Sequence, residues 1–355
     1  MSKRGAEKSL WDIAIEDSHT AEAEGAKGEE KSILFVGSKN AGKTSIILRF
    51  LDKDEPAKPT TALEYTFGRR AKGHNLGKDL AHIYELGGGT WLSKLADIVI
   101  SPSSLLHSSL ALVLDLSKPE ALWHTLETWL NHLRSLTDTA IGVAKADNPQ
   151  IKDKLQKAAW ERVGEDNVDK DMMTPFLLPL VIIGAKYDIF QDFDSEKRKV
   201  ICKTLRFVAH THGAHLQFFT VKQEALINRT RGVISNFVFG TSASKSVQLE
   251  HSKPLVIPAG MDSFNQIGSP PLADGDLGRV TARTPMELWK SAFTSFFPQQ
   301  NVSDPAMVED PAKDAQYKEI SVDTMRLQKD EELERYRRLA ERRMREMERL
   351  NEAAA

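Results

Sequence analysis

From residue 31 onward, hydrophobic positions recur in an order that fixes the type of each segment. Ile33, Leu34, Phe35 and Val36 form an unbroken apolar run ending at Gly37. A short run of this kind, bounded by turn residues, reads as a strand buried on both faces. Residues 44–51 follow with helical character. Residues 63–71 and 80–86 alternate as half-buried strands do, and lie close enough in sequence to form an antiparallel hairpin. Residues 110–116 are again continuously apolar apart from Asp115. Over 120–136, Leu122, Leu126, Trp129, Leu130 and Leu133 recur at helical spacing. A buried strand at 177–184, a helix at 196–210, a strand at 215–221 and a helix at 224–239 complete the alternation. The pattern predicts an α/β fold: a mostly parallel six-stranded sheet, with one antiparallel edge strand and helices on both faces.

Other segments break this rhythm. Residues 1–30 are polar except for Leu10, Trp11, Ile13 and Ile15. They read as a flexible leader, with a short docking helix as the alternative. Residues 137–175 are charged and poor in apolar positions, predicting an insertion with one helix at 150–163. Residues 241–300 form a Ser-, Pro- and Gly-rich arm that includes an amphipathic helix at 285–297. That helix has Thr284 as N-cap, Pro285 in its first turn and an apolar set of Leu288, Trp289, Phe293, Phe296 and Phe297. The set suits core packing or a partner's groove. A polar linker at 301–324 leads to a charged helix at 325–352. Its narrow stripe contains Leu333, Tyr336, Ala340, Met344, Met347 and Leu350, and Glu331/Arg335, Glu334/Arg338 and Glu341/Arg345 are spaced as i,i+4 pairs. Such a helix is either solvated or bound to another helix or groove.

Charge and composition narrow the classes. The 355 residues hold 48 Lys and Arg against 50 Asp and Glu, a net charge of -2, which argues against a general nucleic-acid or anionic-membrane binder. The single cysteine, Cys202, excludes an intrachain disulfide framework and a multi-cysteine zinc site, and suits a reducing compartment. Residues 1–31 carry no apolar stretch of the signal-peptide kind. The longest apolar run, 176–185, is too short for a membrane span.

The chemistry concentrates at Gly37-Ser38-Lys39-Asn40-Ala41-Gly42-Lys43-Thr44, which matches G-x-x-x-x-G-K-[ST] with a strand before it and a helix after it. Glycine lets the backbone curl so that successive N–H groups face phosphate oxygens. The helix N-terminus adds its dipole. Lys43 supplies a point charge and Thr44 a hydroxyl for Mg²⁺, and Asn40 and Ser45 complete the cradle. A Ras-type small GTPase would add four further elements. The switch threonine falls at Thr60-Thr61, with Thr61 the expected metal ligand. Asp-x-x-Gly becomes Glu85-Leu86-Gly87-Gly88, so a longer carboxylate, Glu85, stands at the Mg²⁺ position. The water-orienting Gln position is Gly89. Asn-Lys-x-Asp becomes Ala185-Lys186-Tyr187-Asp188, retaining Lys186 and Asp188 for the base but not the asparagine. Thr220-Val221-Lys222 is an approximate last element. The expectation is a Ras-like P-loop G-domain kept as a scaffold, with residual nucleotide binding and poor turnover. The alternatives are a regulatory small GTPase cycling between GTP and GDP states, and a P-loop kinase or ATPase. The latter lacks a lid with clustered arginines, since only Arg69-Arg70 lies nearby.

The phosphate loop, the string Pro59-Thr60-Thr61-Ala62-Leu63-Glu64-Tyr65-Thr66-Phe67, the string Glu85-Leu86-Gly87-Gly88-Gly89-Thr90 and the charged C-terminal tail together resemble the dynein light intermediate chains, in particular the dynein-2 branch. The resemblance implies a non-catalytic motor subunit. Its Ras-like domain would pack on the dynein-2 heavy-chain tail, alongside other dynein-2 subunits, in retrograde intraflagellar transport, cilium assembly and cilium length control. It implies cytoplasm, cilium, axoneme and basal body or centrosome as locations, and neither nucleic acid nor membrane insertion. The cofactor would be GTP or GDP with Mg²⁺, or none. Helix-mediated contacts would run through 285–297 or 325–350. The second of these is too charged for the adaptor-binding role of the dynein-1 relatives' C-terminal helix.

Overall fold

The computed structural model describes residues 30–71, 78–242, 244–271, 283–299 and 319–354. The expected leader, apart from Glu30, and most of the 301–324 linker lie outside them. The chain divides into two units, 1–300 and 301–355.

In the first unit, β1 (Glu30–Gly37) lies inside the sheet, between and parallel to β3 (Lys78–Leu86) and β4 (Ser108–Asp115). β2 (Leu63–Ala71) pairs antiparallel with β3 at one edge, the expected hairpin. β5 (Leu180–Ala185) and β6 (His215–Phe218) continue the parallel series. Through these six strands the order is β2-β3-β1-β4-β5-β6, that of a Ras-like G-domain. The sheet nevertheless has seven strands, not six. The two-residue β7 (Val256–Ile257), from the C-terminal arm, adds antiparallel to β6. The helix that follows β1 packs on one face of the sheet and the helix that follows β3 on the other, so the connections part beside β1. The resulting crevice opens at the C-terminal ends of β1, β3 and β4, where α/β sheets bind ligands.

Strand periodicity sorts the core. Leu34 and Val36 of β1 join one apolar cluster, Ile33 and Phe35 the other. The second cluster is covered by α1 (Lys43–Phe50) and α7 (Glu224–Phe239). The first takes the short α2 (Ala96–Val99), α3 (Pro119–Ala144) and α6 (Ser195–Thr211). α3 passes well beyond the expected end at 136, because Thr137, Ala140, Ile141 and Ala144 continue its buried stripe. Residues 137–175 are therefore integrated into the core. Within them α4 (Ile151–Val163) buries Ile151, Leu155, Ala159 and Val163 at four-residue steps. The short α5 (Tyr187–Phe190) follows β5, and α8 (Phe264–Ile267) lies in the arm.

The arm is fastened by polar contacts. Arg206 of α6 donates two hydrogen bonds to Asp262, at 2.8 and 2.7 Å. Asn167 reaches the Gly260 carbonyl at 3.2 Å, and Asp169 accepts from both His210 and the Phe264 amide at 2.8 Å. Gly260 has φ 75, and a Cβ there would run into the Val163 carbonyl. α9 (Pro285–Phe296) begins with a full capping box between Thr284 and Glu287. Its aromatic face is spent inside this unit: Trp289 stacks on Phe207 with ring centroids 4.6 Å apart, and Phe293 packs on Trp123. Both are buried, so the groove-binding expectation for 285–297 gives way to core packing.

In the second unit, α10 (Ile320–Ala354) starts five residues before the expected 325. Glu334–Arg338 and Glu341–Arg345 form as i,i+4 pairs. Leu333, Tyr336, Met344 and Met347 are exposed. Among the described residues, no helix is long and apolar enough to cross a membrane.

Candidate functional site

The site begins where β1 ends. A Cβ at Gly37 would strike the Val113 carbonyl of β4, so only glycine lets the chain turn out of the sheet here. Ser38 N then donates to that same carbonyl at 3.2 Å. Gly37, Asn40 and Gly42 adopt φ of 138, 58 and 97, and this sequence of positive values curls the loop into an N–H-lined concavity. Gly42 is the N-cap of α1 and provides no capping side chain, so the first-turn amides remain available to an anion. Ser45 sits half-buried on that turn.

Lys43 is buried, and its Nζ donates to the Ser38 carbonyl at 2.9 Å. Burial lowers its pKa, and the Glu85 charge opposes that shift. Thr44 Oγ1 donates to Glu85 Oε1 at 2.7 Å and lies 3.3 Å from Thr60 Oγ1. Burial pushes the Glu85 carboxyl above its ordinary range, while hydrogen bonds from Thr44 and Thr60 and the charge of Lys43 pull it back. Two hydroxyls and one carboxylate thus converge beside the phosphate loop. The threonine that joins them is Thr60. Thr61, the expected ligand, is exposed, because the extended chain entering β2 sends neighbouring side chains to opposite sides.

The 60–62 segment also packs onto the next loop. Gly87 N donates to the Ala62 carbonyl at 2.6 Å, and a Cβ on Gly87 would collide with the Thr60 carbonyl. Gly88 and Gly89 follow with φ of 72 and 63. A Cβ at Gly89 would sit 3.3 Å from Lys39 N, against the phosphate loop.

On the far side of the crevice, Ala185 ends β5 and Lys186 turns into the left-handed region with φ 61. Lys186 does not project freely toward a base: its Nζ binds Asp115 Oδ2 at 2.6 Å. Asp115, buried at the end of β4, also accepts from the amide and hydroxyl of Ser117 at 3.0 and 2.6 Å. Asp188 accepts from Thr220 at 2.9 Å and pairs with Lys222 at 2.7 Å. Burial alone would raise the Asp188 pKa, but these two partners hold it below the ordinary value.

The residues fit a phosphate and a hard cation. Curled amides and Lys43 suit phosphate oxygens, and oxygen donors on Thr44, Thr60 and Glu85 suit Mg²⁺ once phosphate supplies further ligands. Guanine recognition is incomplete: Ala185 has no side-chain amide, while Asp188, with one internal partner on each oxygen, keeps lone pairs for a base. Sequence reasoning named the Thr60-Thr61 pair but chose Thr61 from it, and gave Asp115 no role in the site. A lone charge closing a buried parallel strand, as Asp115 does, was the available signal.

The family described as dynein light intermediate chain (DLIC) matches residues 5–176. Over 346 residues, the chain is 51% identical to cytoplasmic dynein 2 light intermediate chain 1 of Bos taurus, covering 96% of this chain and 98% of the relative. The chain belongs to the dynein light intermediate chain family. The Danio rerio relative of the same description is 45% identical over 348 residues, covering 93% of this chain and 94% of its own. Among solved structures, the conserved domain of a dynein light intermediate chain aligns at 18% identity with a TM-score of 0.49, covering 76% of this chain and 90% of that one. The strings at 59–67 and 85–90 thus pointed to the right family. In this light intermediate chain the first string enters β2 and the second leaves β3, and Thr60 of the one and Glu85 of the other meet at Thr44.

Proposed function

We propose that this light intermediate chain is a non-catalytic accessory subunit of the dynein-2 motor. Its G-domain binds and stabilises the heavy-chain tail together with other dynein-2 subunits. It serves retrograde intraflagellar transport, cilium assembly and cilium length control, in the cytoplasm, the cilium and its axoneme, and the basal body or centrosome. The dynein-2 assignment rests on the names and near-full-length identity of the relatives. The non-catalytic reading rests on one observation: an intact phosphate loop faces Gly89, which has no side chain to orient an attacking water.

Gly37, Asn40, Gly42, Lys43, Thr44 and Ser45 would hold the phosphates of GDP or GTP, and Thr44 with Glu85 and Thr60 would hold Mg²⁺. When bound, the cation neutralises phosphate charge. Lys43 would turn from the Ser38 carbonyl toward phosphate, and the Thr44–Glu85 hydrogen bond would open. Lys186 and Asp188 would remain near the base without selecting guanine strongly. Without a water-orienting group or an arginine finger, the latter worth roughly 10³–10⁵ in rate, turnover stays low.

Two measurements test this. The purified chain with Mg²⁺ and GTP is expected to release phosphate no faster than the buffer control. Several turnovers per minute would instead establish a working GTPase. Lys43→Ala is expected to leave heavy-chain capture in a pull-down unchanged, because assembly uses the packed outer surface. Loss of capture by a variant that still gives the native circular dichroism spectrum would mean that nucleotide occupancy gates assembly.

A further inference from the structure

The two edges of the sheet are not protected alike. One is the two-residue β7, and shortness is a standard protection for an edge. The other is β2, whose nine residues pair with β3 in unbroken register from Leu63↔Leu86 to Ala71↔Lys78. β2 has no proline and no bulge, and among the described residues no strand pairs with its outer side. It also carries exposed aromatics. Tyr65 is 53% and Phe67 46% accessible, in a row with Tyr84 and His82 of β3. The Arg69 guanidinium lies 4.9 Å from the centre of the Phe67 ring.

We propose that β2 is a docking edge whose occupant is β2 of a second copy of this chain, antiparallel about a two-fold axis at Phe67. The argument is self-complementarity. Extending a sheet edge to edge by a two-fold axis preserves its faces, so directly opposed residues must share the same parity along the strand. Of the registers that satisfy this, only the one centred on Phe67 sets Glu64 against Arg70 of the other copy, and it does so twice. The same register sets Tyr65 against Arg69, a cation–π pairing, and Phe67 against Phe67, an aromatic cross-strand pair. Small Gly68 faces Thr66. Shifting the centre to Thr66 or Gly68 removes both Glu–Arg pairs. The partner is therefore identified by β2's own order of acid, aromatic and base, and main-chain hydrogen bonds between the two edges supply the remainder. This inference does not depend on the motor assignment.

Sedimentation equilibrium of the full chain over a concentration series tests it, with three variants. The unaltered chain is expected to show a reversible monomer–dimer equilibrium. Glu64→Arg and Arg70→Glu each turn two attractions into two like-charge contacts, and each is expected to raise the dimer dissociation constant on the order of tenfold. The double variant Glu64→Arg/Arg70→Glu rebuilds both pairs with reversed polarity and is expected to return to the unaltered value. All these positions are exposed, so the fold should tolerate the changes, and circular dichroism checks that it does. A chain that remains monomeric throughout overturns the proposal. So does a dimer indifferent to the single reversals, which would place the contact on another surface, or a double variant no better than the singles.

Discussion

Replacing Arg206 with alanine is expected to destabilise the first unit by about 3–5 kcal/mol, the usual cost of removing one partner from a buried ion pair. Asp262 is buried, and its two oxygens receive Nε and Nη2 of Arg206. The alanine variant would leave that carboxylate in a dry site, held by the Ser263 amide at 2.8 Å but with no charge to balance it. Against a total stability of about 5–15 kcal/mol for a typical domain, this is a large fraction. The loss should be structural as well as energetic, because Asp262 tethers the arm that supplies β7. A second comparison separates charge from packing. The pair Arg206→Met with Asp262→Leu removes both charges and keeps most of the volume, so it should recover most of the loss. Urea unfolding followed by tryptophan fluorescence reads both. A cost under about 1 kcal/mol for Arg206→Ala would mean that the pair is hydrated, contrary to its burial.

Strand types, their alternation with helices and the phosphate loop were legible because each has a local physical signature. β1, β4 and β5 are continuous apolar runs, and α7 spans the expected 224–239. What escaped was set by contacts distant in sequence. β7 is too short to carry a period, and it becomes a strand only because the arm is fastened to α6 and to the 163–169 turn. α3 runs on to 144 because the widely spaced Ala140, Ile141 and Ala144 continue its buried stripe, too sparse in a charged stretch to stand out until α4 is seen to pack there. The aromatic face of α9 suited either a core or a partner until Phe207 and Trp123 were seen to fill it. At the site, motif spacing named Lys43, Thr44 and Glu85, which the fold brings together, and chose Thr61 from the Thr60-Thr61 pair, whereas the hydroxyl that lies beside Thr44 is that of Thr60. Spacing alone does not say which face of an extended chain is turned inward. Nor does it reveal that Lys186 would be engaged by Asp115, 71 positions away.

Acid is expected to weaken this fold well before its carboxylates titrate, and two histidines set the range. His212 is pushed down to about 4, first by burial and then by the Arg134 charge. His215 also falls to about 4, by burial and by Arg162. The geometry explains the first shift. Arg134 Nη2 lies 3.0 Å from His212 Nδ1, and since a guanidinium only donates, that nitrogen must accept and the ring must be neutral. His215 sits edge-on to the Phe237 ring. In the unfolded chain both imidazoles return to about 6.5. Below that value the unfolded state takes up protons that the folded state refuses, so stability falls as pH drops from about 6.5 toward about 4 and is fully retained above. By about pH 5 the two together should cost roughly 2–4 kcal/mol. Glu85 works in the opposite sense, because its raised carboxyl pKa favours the folded state at low pH, and Glu85→Gln removes that offset. Urea midpoints measured near neutrality and near pH 5 provide the check. His212→Gln, whose side-chain oxygen can still accept from Arg134, should lessen the acid loss. A midpoint that does not move over this interval, with Glu85→Gln in place, would mean that the two imidazoles are solvated and titrate normally.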